Sequence, residues 1–99
     1  LLFYGVSPLT DVESLEKLTQ LKELFLFENQ LTDVKGLERL TQLESLGLIY
    51  NKLIDLKGLE KLTQLTRLSL GDNPGLTKAQ IDELQKALPK CDISSNPTK

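Results

Sequence analysis

The tetrapeptide Leu-Thr-Gln-Leu occurs three times, at residues 18–21, 40–43 and 62–65, and each copy begins 22 residues after the one before. A fixed period constrains a chain more tightly than local propensity does. Each copy must adopt the same supersecondary unit, and it buries its apolar side against its neighbours. Counted from the last Leu of each tetrapeptide, the second unit reads Leu21, Leu24, Leu26, Asn29, Leu31 and the third reads Leu43, Leu46, Leu48, Asn51, Leu53. The fourth unit keeps Leu65, Leu68, Leu70 and Asn73 and then departs. In the shortened first unit, Leu2 and Tyr4 take the paired-leucine slots, with Ser7 and Leu9 in the Asn and Leu slots.

These offsets carry their own structural reading. Leu24-x-Leu26 and its copies alternate as a strand with one buried face requires, so the residues between and after them point outward. Leu31, Val34, Leu37 and Leu40, with Leu53, Leu56, Leu59 and Leu62, recur at three-residue steps, the spacing of a 3₁₀-like return. Asn29, Asn51 and Asn73 fall at the turn after each strand, where a buried amide can bond the backbone of the adjacent coil. Gly36 and Gly58 share a slot that suggests close backbone approach or positive φ, although Ser14 in the first unit argues against a strict requirement. Asp11, Asp33 and Asp55 also align, and they are read as turn caps rather than cation ligands because no further acids complete a cage.

The pattern L-x-x-L-x-L-x-x-N-x-L resembles the leucine-rich repeat family over the whole chain. The 22-residue spacing with Leu31-Thr32-Asp33-Val34 is similar to bacterial internalin-type repeats. The resemblance implies an α/β architecture: a right-handed solenoid with short parallel strands on its concave side and 3₁₀ or turn segments on its convex side. It also implies a protein ligand.

Both ends depart from the repeat. Thr77-Lys78-Ala79-Gln80 has the form of a capping box, Ile81, Leu84, Ala87 and Leu88 follow at helical spacing, and Pro89 stops the helix after roughly three turns. Beyond it, Cys91-x-Ile93-x-x-Asn96 fits the paired apolar and Asn slots, so a fifth strand is expected at an offset of 23 from the fourth unit, with Cys91 in the core. The expected organisation is therefore one domain over 1–99, comprising a truncated repeat 1–20, repeats 21–42 and 43–64, a helix-containing repeat 65–87, and a closing strand and tail 88–99. The first strand lacks a polar cap, so additional repeats or a cap are expected upstream and the exposed edge invites self-association. A chain opening Leu1-Leu2-Phe3 reads as an excised piece, and its compartment stays open.

Composition removes several function classes. With no His and one Cys, the chain lacks the commonest general base, imidazole metal ligation and any intrachain disulfide. Glu13, Glu38 and Glu60 fall on wet convex slots with no facing acid, so no catalytic residue, metal or cofactor is expected. A net charge of -2 with interleaved signs gives no field for nucleic acid, and no apolar run reaches the roughly 18 residues of a membrane span. Gly5, Gly47 and Gly71 are spaced by the repeat and form no phosphate loop. A non-catalytic binding module is the reading these exclusions favour. The alternatives are a recognition or regulatory segment of a larger enzyme or effector, and a structural element that self-associates.

The outward strand slots are free to carry specificity. Between the paired apolar residues they read Phe3, Phe25, Gly47, Ser69, Asp92; just after them, Gly5, Phe27, Ile49, Gly71, Ser94; and next, Val6, Glu28, Tyr50, Asp72, Ser95. Phe3, Phe25, Phe27, Ile49 and Tyr50 are accordingly the expected ligand-binding patch, rimmed by Glu23, Glu28, Arg67 and Asp72. The competing reading is that the aromatics merely cover Gly47 and Gly71. The expected partner is another protein, or a second copy through this face or the N-terminal edge.

Overall fold

The structure is a computed structural model that describes residues 15–96 and the backbone of Leu2–Phe3. Its strands are β1 (Leu2–Phe3), β2 (Glu23–Leu26), β3 (Ser45–Gly47), β4 (Arg67–Ser69) and β5 (Asp92–Ser94), paired in that order in one parallel sheet. Two 3₁₀ turns, Leu37–Arg39 and Leu59–Lys61, carry the return after β2 and after β3, and helix α1 (Lys78–Ala87) carries the return after β4. Parallel neighbours joined by crossovers of this kind coil in the right-handed sense.

In the two full repeats the register follows the period, with Leu24 opposite Leu46 and Leu46 opposite Leu68. The inward leucines and those of the convex return meet in one core, in which Leu24, Leu26, Leu31, Leu37, Leu40 and their copies in the next repeat are all buried. Asn51 ties coils together. Its Nδ2 donates to Leu26 O (2.8 Å) and Leu48 O (3.0 Å), and its Oδ1 accepts from Leu31 N (3.3 Å). Asn73 repeats this one coil further on, with donations to Leu48 O and Leu70 O and an acceptance from Leu53 N.

The convex turns resolve the reading of their glycines and acids. Gly36 and Gly58 have φ of 104° and 108°, so the slot does require the left-handed region in both full repeats. The Oδ1 atoms of Asp33 and Asp55 accept from Lys35 N (3.1 Å) and Lys57 N (2.9 Å), as turn caps do. Glu38 and Glu60 are more than a wet face, because each carboxylate accepts the amide of the adjacent Gly36 or Gly58 at 2.8–2.9 Å. Asp11, Glu13 and Ser14 lie outside the described residues.

Helix α1 starts as expected: Gln80 N donates to Thr77 Oγ1 and Thr77 N donates to Gln80 Oε1, closing the capping box. Ile81, Leu84 and Leu88 are buried, whereas Ala87 faces solvent. The fifth strand exists, but its register corrects the expected offset. Ile93 stands opposite Leu68 and Ser94 opposite Ser69, an offset of 25 rather than 23. An α-helix advances about 1.5 Å per residue against about 2.0 Å for 3₁₀, so a helical return consumes more residues to reach the same strand position. A slip of two keeps each residue on its face, and Cys91 is buried. Asn96 does not enter the Asn slot; it is exposed, and its Oδ1 accepts from Asp72 N at 2.6 Å.

At the other end the backbone register pairs Leu2 with Phe25 and Phe3 with Leu26. That is one residue away from the slot alignment, which sets Phe3 beside Phe25. A one-residue slip exchanges the faces of a strand. The side chain of Phe3, and Tyr4 to Ser14 entirely, are outside the described residues.

Candidate concave binding surface

Pleating turns Glu23, Phe25 and the copies of these positions away from the core. In register across β2 to β5 the outward columns are Glu23, Ser45, Arg67, Asp92 and then Phe25, Gly47, Ser69, Ser94. Phe27, Ile49 and Gly71 follow at the strand ends. Asp92 thus stands beside Arg67, and Ser94, not Asp92, continues the Phe25 column.

Phe25 and Phe27 are half-buried, with ring centroids 5.7 Å apart and planes inclined by 42°. What covers them from below is Gly47: a Cβ there would sit 2.8 Å from Phe25 Cδ1 and 2.7 Å from Phe27 Cε1. The absence of a side chain at Gly47 on β3 lets both rings approach its backbone, giving an apolar shelf. Ile49 adjoins the shelf half-buried, and Tyr50 is 56% exposed. Of the five patch residues, Phe25 and Phe27 are in ring contact and Ile49 and Tyr50 follow on the next coil, the side chain of Phe3 being outside the described residues. The rim residues Glu23, Glu28, Arg67 and Asp72 are all exposed. The rings cover Gly47, as the competing reading expects, whereas Gly71 is covered by Asn96 and by no aromatic.

One feature at the exit from the strands was not legible in the repeat. Glu28, Tyr50 and Asp72 have φ of 57°, 60° and 56°, left-handed values that cost a non-glycine residue about 1–2 kcal/mol. The cause is the following Asn. Nδ2 of Asn51 reaches back to Leu48 O and Ile49 O, and Nδ2 of Asn73 to Leu70 O and Gly71 O, curling the backbone over the intervening residue. Amide bonds hold the curl in place: Glu28 N to Ile49 O and Tyr50 N to Gly71 O, each 3.1 Å. The available signal was the Asn slot itself, one residue downstream. Asn96 was also missed as a surface element; it lies over Gly71, where a Cβ would be 3.4 Å from Asn96 Oδ1.

The rest of the surface offers less. Two open depressions of about 370 Å³ lie on the convex side, one lined by Asp55, Lys57, Gln80 and Glu83 and the other by Asp33, Lys35, Glu38 and Lys61. Several of their carboxylates are engaged by backbone amides, as above. Glu38 is held below the usual glutamate range by backbone hydrogen bonds, its own and that from Gly36, helped by Lys61 and Arg39 against a small burial cost. Burial pushes the Cys91 thiol up, and neighbouring Asp92 adds to the rise, which is opposite to what a reactive thiolate needs. No helix among the described residues is long and apolar enough to cross a membrane.

No family model and no curated protein sequence matches the chain. Solved structures do. The chain is similar to an internalin from Listeria monocytogenes with a TM-score of 0.80 and 28% identity, over 93% of this chain and 28% of that one. A second internalin of the same organism matches with a TM-score of 0.77 and 30% identity, over 91% of this chain and 40% of that one. A leucine-rich repeat protein from Leptospira interrogans matches with a TM-score of 0.73 and 32% identity, over 83% and 21% of the two chains. The chain thus spans between 21% and 40% of the length of these three structures. Period, Asn ladder, sheet and these likenesses agree: the chain has the leucine-rich repeat fold, and its 22-residue units are similar to those of the bacterial internalins.

Proposed function

We propose that this chain is a non-catalytic protein-binding scaffold that takes its partner on the concave sheet face. The observation that carries the reading is the shelf of Phe25 and Phe27, continued by Ile49 and the exposed Tyr50, on a surface the core does not use. Clustered aromatics exposed on a rigid sheet are characteristic of interaction surfaces, and such anchors carry about 2 kcal/mol or more each on truncation. The similarity to internalins supports a protein ligand over a small molecule. So does the face itself, which is broad and open.

The test replaces Phe25 and Phe27 together by Ser and measures folding stability, self-association and capture of a partner from the native host. Loss of association or capture with the fold intact is expected. Unchanged association and capture, or collapse of the fold, would assign these rings to the scaffold alone. Tyr50→Ser keeps the question answerable if the double variant unfolds, because Tyr50 stands largely outside the packed shelf.

A further inference from the structure

The concave face is charged unlike the rest of the molecule. Its outward slots and exit turns hold Glu23, Glu28, Asp72 and Asp92 against Arg67 alone. The remaining described residues hold ten Lys and Arg against eight Asp and Glu. Among the described residues, a net negative face therefore sits on a net positive remainder. Within the face, Arg67 lies in register with Asp92, whereas the exit column reads Glu28, Tyr50, Asp72 with no base in it. Lys22 and Glu44, at the entry to the strands, offset one another.

The exit column is also anchored through its backbone. Three successive left-handed residues, all exposed, place a carboxylate, a phenol and a carboxylate at equivalent points about one strand spacing, roughly 4.8 Å, apart. Their amides are held by Ile49 O, Gly71 O and Asn96 Oδ1, so the spacing is fixed before any ligand arrives. A cation over the Tyr50 ring gains from the ring quadrupole and from acids on both sides at once. An anion, or the same face of a second copy, meets like charge.

We infer that the partner docks a cationic protein segment, with Lys or Arg side chains on the Glu28, Tyr50, Asp72 rim and its apolar atoms on the Phe25 and Phe27 shelf. This rests on the concave-face reading above and adds the chemistry of the occupant. Two features follow from it: binding is salt-sensitive, and its selectivity resides at the exit rim rather than on the shelf.

The experiment follows the backbone amide resonances of the full chain during titration with three synthetic 12-residue peptides of one apolar pattern, whose polar positions are all Lys/Arg, all Gln or all Glu. The Lys/Arg peptide is expected to shift the Gly47, Tyr50 and Gly71 amides and to bind about tenfold more tightly than the Gln peptide. Raising salt from about 50 to about 300 mM is expected to weaken it about fivefold or more. Glu28→Gln with Asp72→Asn, both exposed and isosteric, is expected to weaken it to a similar degree while leaving the thermal midpoint unchanged. Equal binding of the Gln peptide at the same amides would overturn the charge preference and leave the concave-face reading standing. Shifts by the Lys/Arg peptide on α1 or the convex turns, or no shifts at all, would overturn the inference. Dilution of the chain alone moving the Gly47 and Gly71 amides would make a second copy the occupant and overturn it as well.

Discussion

Asn51→Ala is the substitution whose cost the structure fixes most closely. Asn51 is buried and makes three close bonds, and their losses are unequal. Leu48 O keeps its bond from Asn73 Nδ2 at 2.9 Å, so it gives up little. Leu31 N loses its acceptor within a buried coil, an orphaned donor costing about 1–3 kcal/mol. Leu26 O loses its 2.8 Å donor, a further net 0.5–1.5 kcal/mol or so. The sum is about 1.5–4.5 kcal/mol, which for a chain of this size lowers the thermal midpoint by about 4–8 °C per kcal/mol. Denaturant and thermal unfolding give the total, and exchange of the Leu31 amide gives its location. Asn51→Asp sharpens the test, because it keeps an acceptor for Leu31 N but turns a carboxylate toward two carbonyls. That variant is expected to be less stable than Asn51→Ala at neutral pH. It should recover as pH falls, since a carboxyl buried against carbonyls titrates above its usual range and its penalty disappears on protonation. A loss below about 1 kcal/mol for Asn51→Ala, with Leu31 exchange unchanged, would refute the ladder as a source of stability.

Further expectations follow from other residues. Gly58→Ala has space, since a Cβ would lie 3.5 Å from the nearest Glu38 atoms, so its cost is the left-handed φ alone, about 1–2 kcal/mol by chemical denaturation; no loss would show that the turn relaxes. Glu28→Asn places a residue tolerant of positive φ at 57° and is expected to raise the unfolding midpoint slightly, a fall counting against the strain assigned there. Cys91 in the native chain is expected to react slowly with a thiol reagent, given its burial and raised pKa, and rapid labelling would contradict the packing of the turn into β5. The depressed pKa of Glu38 makes its contribution present above the unfolded value and lost as pH falls through the folded one. Glu38→Gln should therefore cost stability near pH 7 and none in acid, and equal losses at both would exclude the charge as the cause.

What the sequence made legible was whatever the period repeats. Leu24, Leu46 and Leu68 in register, the buried Asn slots and the three-step convex leucines follow from 22-residue spacing, because one unit's solution must fit its neighbours. The capping box at Thr77 was equally readable, being a local hydrogen-bond pattern. Register failed where the repeat is interrupted. A helical return consumes more residues than a 3₁₀ one, which moved β5 by two, and β1 stands one residue from its expected place. In the candidate site, alternation identified Phe25, Phe27, Ile49 and Tyr50 but not their posture. That Phe25 and Phe27 approach the backbone at Gly47, and that Glu28, Tyr50 and Asp72 are left-handed, depends on neighbouring coils and on the amide one residue downstream. No propensity of Glu or Tyr announces it.

The claim that the concave sheet is the working face is tested most directly by site-specific photocrosslinking in the native host. A photoreactive residue is placed at Ser69 on β4, between Gly47 and Ser94, or at Thr63, an exposed position on the opposite return. Covalent adducts to one discrete protein from Ser69, absent from Thr63 and abolished by the Phe25→Ser, Phe27→Ser pair, are the predicted result. Adducts that form from Thr63 and not from Ser69, or that survive loss of both rings, would contradict it.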